Sequence, residues 1–332
     1  MQPPLRFGVL GAARIAPKAL VVPATQLGTA DITRIAARNR DRAESFAAEH
    51  HIANVSATYQ EVIEADDVDV VYIPLPMHLH AKWTIAALRA GKHVLCEKPF
   101  ASNADEAVEM VAVAEETGQI LGEAFHHRYH PLWARLFELL DLGVIGTITR
   151  AEGFFNISIP QPDIRWDYAT SGGSLMDLGC YSTIWVRHVV GEEPTVTEAA
   201  AVVGPEHIDG SMWAELAFPS GATGRVESSM INTGDPEIRL EITGTKGSIS
   251  VENPLSPYNA NTLTVRTENG ETSASITDSS TYVHMLRAFC DHVVHRTPFP
   301  TSGDDSISNM VAIDAIYTAA GLPVRATRRD CP

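Results

Sequence analysis

The sequence has little cysteine and no long hydrophobic run. Its four cysteines, Cys96, Cys180, Cys290 and Cys331, are far apart and form no C-x-x-C pair. This pattern is typical of reduced thiols and argues against a disulfide framework or a thiolate zinc site. The longest apolar stretches, such as residues 68–75, are much shorter than the roughly 18 residues needed to cross a bilayer. We therefore expect no membrane-spanning segment.

Basic residues are also scarce. The 332 residues include 25 Lys and Arg against 41 Asp and Glu, and the net charge is −16. Such a surface repels a phosphate backbone, so we expect no nucleic-acid partner. The composition, 45% hydrophobic and 20% charged, is typical of a globular protein without low-complexity tracts. The length predicts about two domains.

The N-terminal part alternates short apolar runs with amphipathic stretches. Helical spacing predicts helices at residues 81–90 and 104–116, the second capped by Ser102 or Asn103. This alternation is typical of βαβ units, so we predict a doubly wound Rossmann sheet. The first apolar run leads directly into a turn at Gly11, which predicts a strand and not a signal peptide, in a cytoplasmic protein. The predicted strands are residues 5–10, 32–37, 68–73, 93–96 and 120–121.

After about residue 145 the hydrophobic pattern changes to a period of two. Met212, Ala214 and Leu216 alternate with other residues, and hairpins follow one another without intervening helices. We predict a C-terminal α+β domain with an open, predominantly antiparallel mixed sheet. The fold class is therefore α/β, with domains 1–124 and 125–332. Further strands are predicted at 225–230, 238–243, 249–251 and 263–265, and helices at 282–294 and 306–320.

The first predicted strand ends in a small-residue turn. A dinucleotide-binding fold has the pattern G-x-G-x-x-G/A here, so that backbone amides approach a pyrophosphate at a helix N-terminus. Ala13 replaces the second glycine, and the motif alone fits a structural turn equally well. The strand, turn and helix context favours cofactor binding. The candidate phosphate-binding residues are Gly11, Ala12, Ala13, Arg14 and Ile15.

The end of the second predicted strand indicates which nicotinamide cofactor is used. An NAD site has Asp or Glu here for the ribose hydroxyls, whereas arginine accommodates a 2′-phosphate. This sequence has Arg38 and Arg40 and no acid between them. Both arginines also suit the solvated start of a helix. In an acidic protein we nevertheless expect NADP(H) to be preferred over NAD(H).

Three more segments contain candidate site residues. Two follow the third and fourth predicted strands, at the carboxyl edge of the sheet where ligands bind. They supply the candidate cofactor contacts Pro74, Leu75, Pro76, His80, Glu97 and Lys98. The third segment, residues 172–181, has the pattern G-G-x-x-x-D-x-G-x-Y and opens a helix in the second domain.

Together with the glycine turn, the E-K-P motif at 97–99 and residues 172–181 resemble the glucose-fructose oxidoreductase, inositol dehydrogenase and rhizopine catabolism family, Gfo/Idh/MocA. The resemblance covers essentially the whole chain. It implies a Rossmann domain followed by a mixed-sheet domain that binds substrate, with catalytic Lys98 and a substrate-binding or orienting Asp177. Tyr181 stands where many members have histidine. This is similar to a tyrosine branch that includes dimeric dihydrodiol dehydrogenase and NADP-dependent D-xylose dehydrogenase.

The resemblance implies hydride transfer between nicotinamide and a CH–OH or C=O carbon of a sugar, cyclic polyol or vicinal diol. Tyr181 would exchange the hydroxyl proton, and the Lys98 ammonium would lower the pKa of that phenol. His126, His127 or Lys98 itself are alternative proton carriers. The rival hypothesis is a catalytically retired NADP-binding sensor or regulator with the same fold.

Several candidates have a structural alternative. Arg165 and Trp166 either contact the cofactor or are a surface arginine and a buried tryptophan. The apolar Trp213 beside Met212 suggests that the second face of the C-terminal sheet is covered, and with the resemblance it implies a homodimer or homotetramer. No metal is expected, because the histidines lack ligand spacing. These histidines are His78, His80, His126, His127 and His130.

Overall fold

The computed structural model describes residues 3–204 and 207–327, so Cys331 lies outside the described residues. Two compact units are formed. The first comprises residues 3–128, 280–307 and 327, and the second comprises 129–204, 207–279 and 308–326. The single boundary expected between 1–124 and 125–332 therefore misses one feature of the chain. A late helical segment returns to the N-terminal unit.

The first unit contains a six-stranded sheet. Its strands are β1 (Leu5–Leu10), β2 (Ala30–Ala36), β3 (Asn54–Val55), β4 (Val70–Ile73), β5 (His93–Cys96) and β6 (Leu121–Glu123). They lie in the order β3-β2-β1-β4-β5-β6, and every pair is parallel. The predicted doubly wound sheet is confirmed. Strand β3 has only two residues, too few to leave a hydrophobic pattern, so the sequence predicts the other five strands alone.

The α-helices of the described residues are α1 (Val22–Leu27), α2 (Arg40–His50), α3 (Tyr59–Glu64), α4 (His80–Arg89), α5 (Ala104–Thr117), α6 (Pro131–Asp141), α7 (Cys180–Val190), α8 (Thr281–His295) and α9 (Asp304–Ala319). Two of them begin after a π-helical turn: Pro17–Val21 leads into α1 and Leu175–Gly179 into α7. Within the described chain, no helix is long and apolar enough to cross a membrane.

Helix α8 belongs to the first unit because its apolar face packs on that unit's core. The Phe289 ring lies 6.4 Å from the Phe7 ring of β1 and 5.6 Å from that of Phe299. A Cβ on Gly122 of β6 would lie 3.0 Å from Phe289, so glycine permits this close packing. Hydrophobic periodicity predicts such a helix but not the layer on which it packs.

The second unit contains an eight-stranded mixed sheet. Its strands are β7 (Ile148–Asn156), β8 (Thr195–Val203), β9 (Asp209–Ala217), β10 (Thr223–Ser229), β11 (Glu237–Gly244), β12 (Gly247–Glu252), β13 (Thr262–Thr267) and β14 (Gly270–Ala274). The order is β14-β13-β12-β11-β7-β10-β9-β8. Only the β7–β10 pair is parallel among these described strands. The predicted mixed, mostly antiparallel sheet is confirmed, although β7, β8 and the wholly exposed β14 were not among the predicted strands.

Helix α7 covers the inner face of this sheet. A Cβ on Gly153 of β7 would lie 3.1 Å from the Ser182 Cα, so glycine lets helix and strand approach closely. The Trp185 ring stacks on Phe155, with centroids 6.2 Å apart and planes 12° apart. This packing fixes the position of α7, the helix that contains the candidate site residue Tyr181.

The other face of the sheet, which the sequence predicts to be covered, carries ion pairs around its apolar side chains. Met212 is buried in the core, whereas Trp213 lies under the Arg225 guanidinium, whose carbon is 4.8 Å from the ring centroid. Arg239 covers Phe154 in the same way, at 4.0 Å. The arginines of this face, Arg150, Arg225 and Arg239, pair at 2.8–3.2 Å with Glu152, Glu215, Glu227, Glu237 and Glu241.

Candidate active site

The glycine turn of the first unit explains why one glycine is required and another is not. Gly11 has a φ of +101°, and a Cβ there would lie 3.0 Å from the Leu75 side chain. Ala13 needs no such left-handed backbone, and its carbonyl accepts the Ala16 amide at 3.1 Å as the helical turn begins. Alanine at position 13 therefore leaves the turn and the start of the helix that follows it intact.

The two arginines at the end of β2 differ in their contacts. Arg40 Nε donates to Glu44 Oε1 at 2.8 Å, one helical turn along α2. Arg38 is exposed and forms no ion pair with any described residue. Burial raises the pKa of the neighbouring Tyr59, while the Arg38 backbone and guanidinium act in the opposite direction. Arg38 is thus the guanidinium available to an anion beside this strand.

Arg42 was not predicted and connects α2 to the glycine turn. Its Nη2 donates to the Ala12 carbonyl at 3.0 Å, and its amide donates to Asn39 Oδ1, the N-cap of α2, at 2.9 Å. The signal in the sequence is its spacing, one helical turn after Arg38. An open pocket of about 380 Å³ lies beside this contact, lined by Ala12, Asn39, Asp41, Arg42, Ser45, Phe46 and Glu49.

His80 joins the two loops at the carboxyl edge of the sheet. Its Nε2 lies 2.8 Å from the Leu75 carbonyl and its Nδ1 lies 2.9 Å from the Pro99 carbonyl. Burial lowers the pKa of His80 to about 4, and these two carbonyl oxygens partly oppose that shift. His80 therefore links the P-x-P loop, residues 74–76, to the E-K-P loop and fixes the position of one relative to the other.

The E-K-P loop is held by a buried carboxylate. The Tyr72 hydroxyl donates to Glu97 Oε1 at 2.7 Å, and the Lys98 amide donates to Glu97 Oε2 at 3.3 Å. Burial, followed by the Glu97 charge, raises the pKa of Tyr72 well above its usual range. Glu97 is thus tied to the backbone at Lys98, which sets the direction from which the lysine side chain leaves the loop.

A second set of ionisable groups surrounds His126 in the same unit. Its Nδ1 lies 2.7 Å from Thr281 Oγ1, and its ring stacks on Tyr282 with centroids 4.0 Å apart. Burial lowers the pKa of His126, and the charges of Lys18 and Lys98 lower it further. Lys18 Nζ also lies 5.4 Å from the Tyr282 ring centroid. A buried imidazole that is influenced by the charges of two lysines was not predicted, because Lys18 and Thr281 belong to no motif.

In the second unit, Asp177 and Arg165 form an ion pair. Arg165 Nε lies 2.6 Å from Asp177 Oδ2, and its Nη1 lies 3.0 Å from Asp163 Oδ1. Asp177, and then Asp163, raise the pKa of Arg165 against the effect of burial. Because Asp177 is the more buried partner, Arg165 keeps a carboxylate in a largely dry position. The sequence analysis assigned Asp177 to the substrate and Arg165 to the cofactor, whereas in the structure the two side chains form an ion pair.

Tyr181 and Trp166 both belong to the second unit and contact other residues of that unit. Tyr181 is the second residue of α7 and is buried, with its ring 5.7 Å from Phe155 and 6.1 Å from Trp185. Trp166 donates its indole N–H to the Ile159 carbonyl at 2.8 Å. The tryptophan's hydrogen-bond donor is therefore used within the unit.

Asp177 and Tyr181 lie about one helical turn apart in the second unit, and Lys98 belongs to the first. The predicted pairing of Lys98 with Tyr181 stays a prediction.

The histidines that could suggest a metal site have separate local roles. His130 Nδ1, for example, accepts the Leu132 amide at 3.1 Å, as the N-cap of α6. In the part of the chain that the structure describes, no three His, Cys, Asp or Glu residues converge as metal ligands.

Two family models match this chain. Residues 5–125 match an oxidoreductase family with an NAD-binding Rossmann fold, Gfo/Idh/MocA, and residues 133–250 match the C-terminal domain of the same family. The chain is 34% identical to a D-xylose 1-dehydrogenase (NADP⁺) of Haloferax volcanii, over 95% of this chain and 97% of the relative. It is 31% identical to a trans-1,2-dihydrobenzene-1,2-diol dehydrogenase of Xenopus tropicalis, over 75% and 76%.

Solved structures agree with these relatives. A 3-ketoreductase from Actinomadura kijaniata, in complex with NADP and TDP-benzene, superimposes with a TM-score of 0.88 and is 29% identical. The match covers 95% of this chain and 98% of the ketoreductase. The resemblance in sequence therefore extends to the fold of both units.

Proposed function

Because this chain belongs to the Gfo/Idh/MocA oxidoreductase family, we propose that it is an NADP(H)-dependent dehydrogenase or reductase acting on CH–OH groups. Its substrate is a sugar, a cyclic polyol or a vicinal diol. Two relatives support this class, since they are named for xylose and for a cyclic diol. The observation that carries the proposal is Lys98, whose backbone is tied to Glu97 and Tyr72 at the carboxyl edge of the sheet.

The first unit fits an NADP(H) molecule. The turn at residues 11–15 presents the start of a helix to the pyrophosphate, and no acid stands at the end of β2 to repel a 2′-phosphate. Arg38 would bind that phosphate, because Arg40 is already paired with Glu44. When bound, the nicotinamide supplies or accepts the hydride. The remaining chemistry is positioning and proton transfer.

Three side chains carry that chemistry. The Lys98 ammonium orients the reacting oxygen of the substrate and favours its negative charge. The Tyr181 hydroxyl gives or takes the proton of that oxygen. Asp177 is held by Arg165 and accepts a hydrogen bond from a neighbouring substrate hydroxyl, which positions the carbon for hydride transfer.

The open face of the second sheet is the proposed surface of self-association, in a homodimer or homotetramer. Its alternating arginine and glutamate side chains match a second copy related by a two-fold axis, because each copy offers both charges. Light scattering at micromolar concentration tests this, and a monomer would contradict it. The cytoplasm as its location stays a prediction from cysteine usage.

The experiment that tests the function uses the purified protein with NADP, then NAD, and a panel of aldoses, cyclic polyols and diols. Reduced nicotinamide is followed by its absorbance. We expect turnover with at least one substrate class and a higher kcat/KM with NADP. Tight NADPH binding without turnover on any substrate, in either direction, would instead identify the retired sensor.

A further inference from the structure

Three buried polar side chains, here named the Asp209 cluster, lie behind the turn at residues 172–173. They are Asp209 at the start of β9, Tyr317 in α9 and Arg325 in the segment after α9. Asp209 Oδ1 lies 2.7 Å from Arg325 Nη2 and accepts the Tyr317 hydroxyl at 2.9 Å. Apolar residues of similar size often stabilise a core as well as a buried ion pair does. Stability alone therefore does not account for the cluster.

The cluster holds the start of the helical stretch that carries Asp177 and Tyr181. Oδ2 of Asp209 accepts the Ser174 hydroxyl at 3.0 Å and the Leu175 amide at 2.7 Å. Amides at a helix start have no partner within the helix. Asp209 thus takes the part of an N-cap, although it lies on a strand more than thirty residues later in the chain.

The cluster also fixes the backbone immediately before that helix. Arg325 Nε donates to the Gly172 carbonyl at 2.9 Å. Gly173 has a φ of +133°, and a Cβ there would overlap all three side chains of the Asp209 cluster. The second glycine of the G-G motif is therefore required by the cluster that lies against it, as well as by its own backbone conformation.

A further contact carries the position of the turn to Asp177. The Gly173 amide donates to the Arg165 carbonyl at 2.9 Å, and the side chain of that same arginine binds Asp177 at 2.6 Å. A shift of the turn would thus reach Asp177 by two routes, along the helix and through Arg165. Tyr181, on the next turn of the same helix, would move with it.

We propose that the Asp209 cluster positions Asp177 and Tyr181 for the substrate, so that the segment after α9 contributes to turnover without touching the reacting groups. The proposal rests on the proposed roles of Asp177 and Tyr181. It assigns Asp209, Tyr317 and Arg325 as positioning residues.

Two substitutions test the proposal at different strengths. Arg325→Lys keeps the charge, but an ammonium lacks the planar fork that reaches both the Gly172 carbonyl and Asp209. Tyr317→Phe removes one hydroxyl and keeps the ring against the Arg325 guanidinium. Because a displacement of about 1 Å can cost on the order of 100-fold, we expect kcat to fall about 10- to 100-fold for Arg325→Lys. A smaller fall is expected for Tyr317→Phe, with the KM for NADPH unchanged in both.

Arg34→Lys is the control. Arg34 lies in β2 of the first unit and also uses its planar fork, with Nε and Nη2 each 3.1 Å from an Asp67 carboxylate oxygen and Nη1 3.1 Å from Ser56 Oγ. We expect it to lower Tm, while kcat and the pH dependence of kcat stay at wild-type values. The two cluster variants, in contrast, should shift that pH dependence, because the environment of the Tyr181 hydroxyl changes.

Two outcomes are decisive. If Arg325→Lys and Tyr317→Phe have a lower Tm but keep the wild-type kcat and pH profile, the cluster only stabilises the fold and the inference is wrong. Wild-type turnover in both Tyr181→Phe and Asp177→Asn would overturn the proposed function instead, so the two failures are distinguishable.

Discussion

The two units hold their candidate site residues by different means. In the first, the E-K-P loop is held by segments close in sequence: His80 lies 2.9 Å from the Pro99 carbonyl, 19 residues away, and the Tyr72 hydroxyl donates to Glu97, 25 residues away. The contact of His126 with Thr281 in the same unit is long-range. In the second, the helix bearing the site depends on a carboxylate and a guanidinium from distant segments, Asp209 and Arg325. Local motifs therefore describe the E-K-P loop of the first unit well, but the contacts of His126 and the helix of the second unit only in part.

Two ion pairs, one in each unit, also differ in their exposure to solvent. The Arg6–Asp69 pair that joins β1 to the start of β4 is 42% and 33% exposed, whereas Arg325 and Asp209 are 1% and 0% exposed. Breaking an exposed pair returns both groups to water, but breaking a buried pair leaves a charge without a partner. The Asp209 cluster should accordingly tolerate substitution less well than the Arg6–Asp69 pair.

The largest effect is expected at Lys98. Replacing Lys98 with Met keeps much of the side-chain volume and removes the ammonium, so kcat should fall by about 10² to 10⁴-fold, the typical worth of an acid–base group. NADPH binding, measured by fluorescence titration, should persist, because the glycine turn and Arg38 are unchanged. Lys246→Met, in the turn between β11 and β12, is the control and should keep wild-type turnover.

Removal of the Tyr181 hydroxyl tests whether the second unit supplies the proton. Tyr181→Phe should lower kcat by about 10²-fold or more. The pH dependence of the wild-type rate should report a group that belongs to Lys98 and Tyr181 jointly, and the variant should lose it. Near wild-type turnover with an unchanged pH profile would show that another group transfers the proton. His126 is then the first alternative, since burial and two nearby lysines keep it neutral.

Cofactor choice should depend on Arg38 more than on Arg40. Charge-assisted hydrogen bonds contribute about 1.5–3 kcal/mol, so Arg38→Asp should lower the NADP over NAD ratio of kcat/KM by about 10- to 100-fold and reverse or abolish the preference. Arg40→Asp should change it less, because Arg40 is paired with Glu44. Equal losses in the two variants would show that both arginines bind the phosphate. Equal use of both cofactors by the wild type would contradict the assignment.

The sequence predicts the parts of this molecule whose signals are local. Parallel strands in the first unit and the hairpins of the second follow from periodicity, and capping rules predict an N-cap at Ser102 or Asn103, of which the structure has Asn103. Lys98, Asp177 and Tyr181 were found through a resemblance of motifs. Their roles stay predictions.

What the sequence does not predict depends on long-range packing. Asp209 and Arg325 are single charged residues without a motif, and only the fold brings them to residues 172–175. Helix α8 has the expected periodicity, yet nothing in its pattern says that Phe289 packs on Phe7 of the first unit. The arginine side chains that lie on the outer face of the second sheet were missed for another reason. Trp213 and Phe154 are covered by arginine stems from neighbouring strands, a contact that alternation within one strand does not reveal.

The smallest effect is expected at the exposed Arg6–Asp69 pair, whose contacts include two side-chain bonds of 2.6 and 2.9 Å. Arg6 holds the pKa of Asp69 below its usual value, by side-chain hydrogen bonds first. A carboxylate with a lowered pKa contributes stability above its ordinary pKa, and that contribution is lost as the pH falls through the lowered value. Asp69→Asn should therefore lower Tm by about 2 °C or less at pH 7. Calorimetry should show the difference from wild type narrowing below about pH 4, and a difference that widens there would reverse the sign of this interaction.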